Sequence, residues 1–404
     1  MGFVNSAGHV IGDTFARWVL MKGLSALKVG KLVVEFPDGS SKTLNSGNPG
    51  PEGTLRVLDK SFFLQFMLNG EIGFGEAYQA GLCDSPDMVE LLSLAIENRK
   101  AVDLNKGLMR VVSRAKNIKR HRRRANTIEG SKENIHAHYD LGNAFFSLFL
   151  DETLTYSSAV FQQESDSLED AQNNKYRRLS ELAQLSKQDH VLEIGTGWGG
   201  FAIYAASTYG CHVTTVTISK EQFDLATERI HHAGLTELID VQLIDYRDIS
   251  GEYDKIVSIE MFEAVGVEYF ETFFLKCSSV LKPGGRIAMQ VITVPDNAFE
   301  AQKTGINWIQ KYIFPGGVLP SLAEIERVNA HTSLVMDTSY DIGRDYAVTL
   351  HQWRARFWAN IHSARAQGYD EYFIRTWDYY LAACEAGFLT AITGDAHIAF
   401  NKSP

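Results

Sequence analysis

The chain has 404 residues and a formal net charge of −10, with 45% hydrophobic and 22% charged residues. This length allows roughly two or three domains, and the composition is that of an ordinary globular protein. The acidic balance argues against nucleic acid as a partner of the whole chain, and no uncharged apolar run is long enough to span a bilayer. Residues 1–23 lack a basic start followed by a clean apolar segment, so we expect no secretory signal.

Residues 1–112 mix helical patterns with short strand patterns and are predicted to form a smaller N-terminal α+β domain. The segment RAKNIKRHRRR at 114–124 follows, with seven Lys or Arg residues and no acid. We interpret 113–130 as a basic linker that is either a solvated surface or a patch for anionic lipid head groups, worth roughly 1 kcal/mol per basic residue. Nucleic acid is a weaker alternative, because no aromatic residues alternate with the basic ones to stack on bases.

From residue 131 onward, apolar strand-like runs alternate with helical stretches. HVLEIG is followed by GFAIYAASTYG, and HVTTVTI is followed by KEQFDLATERIHHAG. This alternation predicts an α/β, Rossmann-like doubly wound sheet of parallel strands in a domain at 131–404, with ligands bound beyond the carboxyl ends of the strands. In KIVSIEMFEAVG, residues 255–266, Glu263 comes just past such a strand end, where a buried carboxylate has to be paired or used.

The loop after the first of these strands, EIGTGWGGF, is rich in glycine, which lets a ligand approach the backbone closely. Its spacing is not G-x-G-x-x-G, and Glu193 lies inside the preceding strand. The next strand ends in VTIS, without the acid that would hold an NAD ribose. Asp245 and Tyr246 follow the third strand, where an adenine ring could be hydrogen-bonded and stacked. Together these features resemble the class I S-adenosylmethionine-dependent methyltransferases rather than the NAD-dependent enzymes.

Several ordered segments carry a closer resemblance. They are HAHYDLGNAFFSLFLDETLTYSSAVF at 136–161, VLEIGTGWGG, TISKEQ, SIEMFEAVG, YIFPGGVLPS at 312–321, DYAVTLHQWRARF and CEAGF. They resemble the cyclopropane-fatty-acid synthases and the related mycolic acid methyltransferases, over about 130–404 and more loosely at GEAYQAG. The resemblance implies methylation of the cis double bond of an unsaturated phospholipid acyl chain, with a cyclopropane chain as the first expected product. It also implies an N-terminal domain that engages lipid and a cytoplasmic protein held peripherally at the inner face of the membrane, with a homodimer left open.

The same resemblance assigns residues to the S-adenosylmethionine site. The segment TISKEQ would approach the ribose with hydroxyl and amide groups in place of a carboxylate. The cofactor-binding residues implied in this way are Tyr156, Ser157, Glu193, Gly195, Gly197, Gly199, Thr217, Ile218, Gln222, Asp245 and Tyr246. We predict no metal site, because the four cysteines Cys83, Cys211, Cys277 and Cys384 lack metal-ligand spacing; they also lack a disulfide framework and fit a reducing cytosol.

The expected chemistry leaves a carbocation on the acyl chain, which must be shielded from water and must lose a proton. Aromatic faces can stabilise such a cation, and Phe145, Phe146, Tyr312, Phe314 and Trp353 are candidates. The resemblance implies a bound bicarbonate as the proton acceptor, held by a Cys, a Glu, a His, a Tyr and a backbone carbonyl. These five positions fall on Ser158, Glu263, Gln290, Tyr346 and Ile292 of this chain.

Two of those five positions depart from the family pattern, since Ser158 replaces the Cys and Gln290 replaces the His. Both side chains can hydrogen-bond a small anion, but neither readily acts as an acid or base near neutral pH. The course of proton loss is therefore open: a cyclopropane ring or a methylene or methyl branch of the tuberculostearic type. Glu260, three residues before Glu263, is expected only to brace the loop. Other open alternatives are a small-molecule N- or O-methyltransferase and a lipid-binding protein with a vestigial methyltransferase domain.

Overall fold

The computed structural model describes residues 17–18, 20–101 and 142–403, and its contacts divide the chain into two compact units. The first unit is drawn from Met1–Arg120, Gly305–Ile313 and Ile361–Thr390. The second is drawn from His121–Thr304, Phe314–Asn360 and Ala391–Pro404. Within the described ranges, none of the helices combines the length and apolar character needed to cross a membrane.

The elements are numbered in chain order. The strands are β1 (Lys31–Glu35), β2 (Ser41–Asn45), β3 (Glu52–Val57), β4 (Cys83–Asp84), β5 (His190–Ile194), β6 (His212–Thr217), β7 (Ile239–Leu243), β8 (Tyr253–Ile259), β9 (Leu281–Thr293), β10 (Leu334–Asp341) and β11 (Gly394–Lys402). The helices are α1 (Ser61–Gln79), α2 (Met88–Glu97), α3 (Asn143–Phe146), α4 (Leu168–Ala183), α5 (Gly200–Tyr209), α6 (Lys220–His232), α7 (Phe270–Val280), α8 (Asp296–Thr304), α9 (Trp308–Tyr312), α10 (Leu322–Asn329), α11 (Gly343–Ala359), α12 (Ile361–Ala366) and α13 (Glu371–Leu389).

The first unit combines a four-stranded sheet, in the order β2-β1-β3-β4, with helices. Alternate residues of β1 and β3 are buried, as expected of strands that are covered on one face. Helix α2 packs against β3, and α13 packs against both α1 and α2. An α+β arrangement was predicted for this part of the chain, and its engagement of lipid stays a prediction.

The two units do not follow the predicted boundaries at 1–112 and 131–404. Residues Gly305–Ile313 and Ile361–Thr390 belong to the first unit, although sequence order places them in the catalytic half. The physical reason is visible in α13: Tyr78 donates a hydrogen bond to Asp378 at 2.5 Å, and Arg375 donates to the Cys83 carbonyl at 2.6 Å. Contacts between residues so far apart in the chain cannot be predicted from local sequence patterns. The basic linker at 113–130 lies outside the described residues.

The second unit contains a seven-stranded sheet in the order β10-β11-β9-β8-β5-β6-β7. The neighbours from β9 through β7 are all parallel, whereas β11 is antiparallel to both β9 and β10. The predicted Rossmann-like sheet is confirmed, and the antiparallel pair at one edge was not predicted. Strands β5 and β6 are buried along almost their whole length, as parallel strands covered on both faces are. Parallel strands end at one edge of a sheet, so the loops after β5, β6, β7 and β8 meet there.

Helix α4 brings a lysine into the interior of the second unit. It begins with a capping box, in which the Ser167 hydroxyl accepts a hydrogen bond from the Asp170 amide and the Asp170 carboxylate accepts one from Ser167. It ends at Gln184, which adopts the left-handed conformation common at helix ends. The buried side of the helix includes Leu179 and Lys175. The amphipathic pattern of α4 therefore buries an ammonium group together with apolar side chains.

A tight contact in the first unit gives a test of this fold. A Cβ added at Gly75 in α1 would lie 2.9 Å from a ring atom of Tyr379 and closer still to the ring of Trp308. Both rings are buried, so they cannot swing into solvent. We expect Gly75→Ala to lower the free energy of unfolding by about 1–3 kcal/mol, as overpacking does. Urea denaturation measures this, with Asn69→Ala as the control, since Asn69 is exposed and precedes the kink of α1 at Gly70. Equal stability of the two variants would contradict this packing.

Candidate functional site

The glycine-rich loop follows β5 and leads directly into α5. Gly195, Gly197 and Gly199 have positive φ angles of 104°, 51° and 84°, which residues with a side chain adopt only at a cost. A Cβ at Gly195 would lie 3.2 Å from the side chain of Met261, whereas a Cβ at Gly197 would meet nothing within 4 Å. The loop therefore offers bare backbone next to open space at Gly197, where a ligand can approach closely.

The predicted ribose-binding segment lies at the end of β6, next to this loop in the sheet. Thr217 is buried, and its hydroxyl donates to Oε1 of Gln222 at 2.8 Å. Ile218 follows, and then the Ser219 side chain caps α6 by accepting from the Gln222 amide. Thr217 and Gln222 are neutral hydrogen-bonding groups at this end of β6, and the Glu221 carboxylate beside them accepts from the Ser219 hydroxyl at 3.4 Å. Their contact with a ribose stays a prediction.

The predicted adenine-binding residues lie at the end of β7. The Asp245 carboxylate accepts hydrogen bonds from Nε of Arg247 at 2.8 Å and from Nη2 at 2.7 Å. The Tyr246 ring is buried, 5.6 Å between centroids from Phe273. The sheet topology therefore brings the glycine loop, the Thr217–Gln222 segment and Asp245 to one edge. Their contacts with a cofactor stay predictions.

Glu193 lies in β5 beneath the glycine loop, and its carboxyl group contacts Thr215 of β6. The side chain is buried, and burial raises the pKa of its carboxyl to about 8. Thr215 Oγ1 lies 2.5 Å from Oε2 of Glu193 and 2.8 Å from Oγ1 of Thr196. A hydroxyl has one proton to donate, so a protonated Glu193 that donates to Thr215 leaves Thr215 free to donate to Thr196. Glu193 is therefore neutral near pH 7 and joins the strand to the loop above it.

Tyr156 and Ser157, both predicted to contact the cofactor, have aromatic and cationic neighbours. The Tyr156 ring centroid lies 5.4 Å from that of Trp353 and 5.2 Å from that of Phe146. The Ser157 hydroxyl accepts a hydrogen bond from Nζ of Lys175 at 2.5 Å. Lys175 is fully buried, and burial lowers the pKa of its ammonium group to about 8. Sequence reasoning missed Lys175, because its position within an amphipathic helix suggests only a surface lysine.

The Glu260 carboxylate, directly after β8, is the hydrogen-bonding centre of the site. The Ser158 amide donates to its Oε1 at 2.8 Å, and Nε2 of Gln290 donates to the same oxygen at 2.6 Å. The Tyr346 hydroxyl donates to Oε2 at 2.8 Å. Three of the five predicted pocket residues therefore meet, but around Glu260 rather than around Glu263. Glu260 was expected only to brace the loop; a carboxylate at the carboxyl end of a core strand was the available signal that it does more.

Glu263 lies beside this centre in a different environment. Its Oε1 accepts a hydrogen bond from the backbone amide of Ile292. The resemblance implied a role for the Ile292 carbonyl instead. Its buried Oε2 has no hydrogen-bond partner within the described part of the chain. Burial, followed by the charge of Glu260, raises the pKa of Glu263 to about 8. Glu263 is therefore a neutral carboxyl group near pH 7.

Gln290 connects Glu260 to two buried residues of β11. Besides contacting Glu260, its Nε2 donates to Oδ2 of Asp395 at 2.8 Å. Its Oε1 lies 3.0 Å from Nε2 of His397, so this oxygen accepts and His397 carries its proton on Nε2. Burial lowers the pKa of His397 well below its usual value, which keeps the ring neutral. Both ends of the Gln290 amide are thus occupied, which fixes its orientation.

Three carboxyl groups and one ammonium group share this buried region. Burial raises the pKa of Glu260, and the positive charge of Lys175 opposes that rise. Burial also raises the pKa of Asp395 well above its usual range, and the charges of Glu260 and Glu263 act in the same direction. Since like charges at short range cannot all ionise, the region holds protons near neutral pH and has one carboxylate, Glu260, with a full set of donors. Such an arrangement can accept or share a proton.

Comparison with known proteins identifies relatives of this chain. Residues 127–397 match the family model described as mycolic acid cyclopropane synthetase. The tuberculostearic acid methyltransferase UfaA1 of Mycobacterium tuberculosis is 40% identical over 331 residues, which cover 79% of this chain and 76% of that protein. The cyclopropane-fatty-acyl-phospholipid synthase of Escherichia coli K12 is 37% identical over 351 residues, covering 84% of this chain and 86% of that protein.

A solved structure of a mycolic acid cyclopropane synthase is also similar to this chain. The mycolic acid cyclopropane synthase CmaA1, solved with SAH and CTAB, has a TM-score of 0.63 and 28% identity, covering 67% of this chain and 98% of that chain. Coclaurine N-methyltransferase has a TM-score of 0.64 over 82% of this chain and 99% of that chain, but with 20% identity it shows a shared fold alone.

The buried Glu193 gives a test that depends on pH. Its folded pKa of about 8 lies above the usual value of 4.5, so its contribution to stability is full below about pH 4.5 and is lost as the pH rises through 8. Gln at this position is neutral throughout. We expect Glu193→Gln to gain stability relative to wild type as the pH rises from about 4.5 to 8, measured by urea denaturation at several pH values. A stability difference that stays constant over this range would contradict a protonated Glu193.

Proposed function

The chain belongs to the mycolic acid cyclopropane synthetase family and is an S-adenosylmethionine-dependent methyltransferase, and we propose that it adds a methyl carbon to the cis double bond of unsaturated phospholipid acyl chains. The match across 127–397 is the observation that supports this most directly. The acceptor class is that named for the E. coli relative, which covers most of both chains. A cyclopropane chain is the first proposed product, and a methylene- or methyl-branched chain is the alternative.

The residues at the sheet edge fit S-adenosylmethionine. When bound, this cofactor supplies an electrophilic methyl group. The bare backbone at Gly197 would accept close approach, and Thr217 and Gln222 offer neutral hydrogen-bonding groups for a ribose. Asp245 and Tyr246 offer a carboxylate and an aromatic ring for an adenine.

The protein has three tasks in the proposed reaction. It must hold a weakly nucleophilic double bond in line with the transferred methyl group, because positioning supplies much of the rate. It must keep water from the cation that forms on the acyl chain. The partly exposed ring of Tyr156, which packs against the buried rings of Trp353 and Phe146, offers an aromatic face for that cation. It must finally accept a proton, for which the buried carboxyl groups are suited.

One observation favours the branched product. The relative with 40% identity is named for tuberculostearic acid, whereas the relative with 37% identity is named for cyclopropane fatty acyl phospholipids. In this chain Ser158 and Gln290 stand at the two positions where the resemblance implies Cys and His. Both products would arise from the same cation and would differ in how it loses its proton.

We predict that the purified protein transfers a methyl carbon to vesicles of monounsaturated phospholipid. Mass spectrometry of the extracted lipid should show a gain of one CH₂ unit that depends on S-adenosylmethionine. Gly195→Val should abolish the gain, because it places a side chain at a φ of 104° and against Met261. Chromatography against cyclopropane and methylene-branched standards then identifies the product. Methyl transfer that needs no vesicles would support the small-molecule alternative instead, and unchanged lipid would contradict the proposed function.

We also propose peripheral membrane association through the basic segment 114–124, which lies outside the described residues. Replacing Arg122, Arg123 and Arg124 together by Gln should weaken binding to anionic vesicles at low salt by up to about 100-fold, at roughly 1 kcal/mol per charge. Vesicle co-sedimentation measures this, and binding to zwitterionic vesicles is the control. Unchanged binding to anionic vesicles would show that the segment is a solvated linker.

A further inference from the structure

We propose that Glu260 is the catalytic base of this reaction, and that its carboxylate occupies the position in which a bound bicarbonate was expected. This inference rests on the proposed function, because it names the group that takes the proton from the methylated acyl chain. It replaces the expectation that Ser158, Gln290 and Tyr346 hold a separate small anion.

The hydrogen-bond donors of the pocket are already in use. A small planar anion would need donors, but the side chains of Gln290 and Tyr346 and the backbone amide of Ser158 donate to Glu260, at 2.6–2.8 Å. The Ser158 hydroxyl donates to the carbonyl of Ala159. Two of them, Ser158 and Gln290, share Oε1, and Tyr346 serves Oε2. Both oxygens of the Glu260 carboxylate are therefore occupied, as they would be in a bound anion.

The charges around Glu260 also bear on whether a separate anion would bind. The charge of Glu260 raises the pKa of Glu263, and both glutamates raise the pKa of Asp395. Burial raises the pKa of Glu260 itself, and the positive charge of Lys175 opposes that rise. With Glu263 and Asp395 neutral, the charge of Lys175 is already balanced by Glu260, so a further anion would have no cation to compensate it in this buried region. The pocket therefore favours one built-in carboxylate over an additional bound ion.

The backbone at Glu260 is strained. Glu260 has a φ of 47°, in the left-handed region that residues other than glycine rarely adopt. Its amide donates to the carbonyl of Gln290 at 2.8 Å, which helps to hold this conformation. The strained backbone places the Glu260 side chain in the pocket immediately after β8, and strain of this kind often accompanies a functional position.

In the proposed reaction, the π electrons of the acyl double bond would form a bond to the transferred methyl carbon, and the S–C bond would break with its electron pair remaining on sulfur. A carbon–hydrogen bond of the added methyl group then gives its proton to Glu260. Its electron pair closes the cyclopropane ring or, after a hydride shift along the chain, forms a methylene double bond. Glu260 becomes a neutral carboxyl group and returns the proton to solvent before the next turnover.

The surroundings of Glu260 suit this role. The titratable or charged groups that face it are Lys175 from α4, Glu263 from the loop after β8, Tyr346 from α11, and Asp395 from β11, with His397 behind Gln290. Lys175 helps keep Glu260 ionised before the step. Burial raises its proton affinity, so that it can hold the proton afterwards. A general base must be ionised before the step and must hold the proton after it. The charge of Lys175 favours the first state of Glu260, and burial favours the second.

The first experiment replaces Glu260 by Gln, which keeps its size and removes its charge. We expect methyl transfer to fall by about 10²-fold or more, with SAH affinity by calorimetry unchanged. Glu181→Gln, an exposed residue on α4, is the matched control and should keep full activity. Wild-type activity should be the same in bicarbonate-depleted and bicarbonate-supplemented buffer, a comparison that needs no variant. Full activity of Glu260→Gln, or a wild type that requires bicarbonate, would overturn the proposal.

A second experiment does not depend on activity. NMR of ¹³C-labelled bicarbonate should show no specific line broadening with wild type. It should show broadening with Glu260→Gly, which vacates the pocket and suits the positive φ. The same variant should regain part of its activity when bicarbonate is added. Bicarbonate bound to wild type in the pocket would overturn the proposal. If wild type methylates no lipid, the proposed function fails, while the NMR result still decides whether Glu260 fills the anion position.

Discussion

The Glu260 carboxylate binds together four parts of the second unit that are far apart in sequence. Ser158 comes from the segment before α4, Gln290 from β9 and Tyr346 from α11, and all three donate to Glu260 after β8. Because a partly buried carboxylate without donors is costly, each of these elements is constrained to its place by the same group. The geometry of the edge where a substrate would react depends on that constraint.

The second requirement is charge balance. Lys175 is fully buried and faces the carboxyl cluster, so one ammonium group compensates for one ionised carboxylate. Glu263 and Asp395 have raised pKa values, which lets them be neutral, and His397 is neutral because burial lowers its pKa. A neutral Gln290 suits this balance, because it can donate to two carboxyl groups and accept from His397 without adding charge.

Several features were accessible from sequence for clear physical reasons. Alternating apolar runs and helical stretches predicted the parallel core of the sheet, since strands buried on both faces read as continuous apolar runs. The glycine spacing and the neutral end of β6 predicted the kind of cofactor. The antiparallel edge of the sheet could not be predicted in the same way, because β11 comes from the C-terminal part of the chain and pairs with the distant strand β9. Likewise, the placement of α13 in the first unit depends on contacts such as Tyr78 with Asp378, which are 300 residues apart.

The sequence by itself determined the class of fold and the methyltransferase family, because these follow from local pattern and ordered motifs. The family resemblance also proposed Ser158, Gln290 and Tyr346 as residues of one pocket. Only the tertiary structure decided which carboxylate those residues serve. Glu260 and Glu263 are three positions apart and carry the same side chain, and the local sequence does not show which of them the three donors reach. The left-handed backbone of Glu260 directs one side chain to three donors, while the short helical turn after it turns the other toward the amide of Ile292. That difference in direction exists only once β8, β9 and α11 have come together.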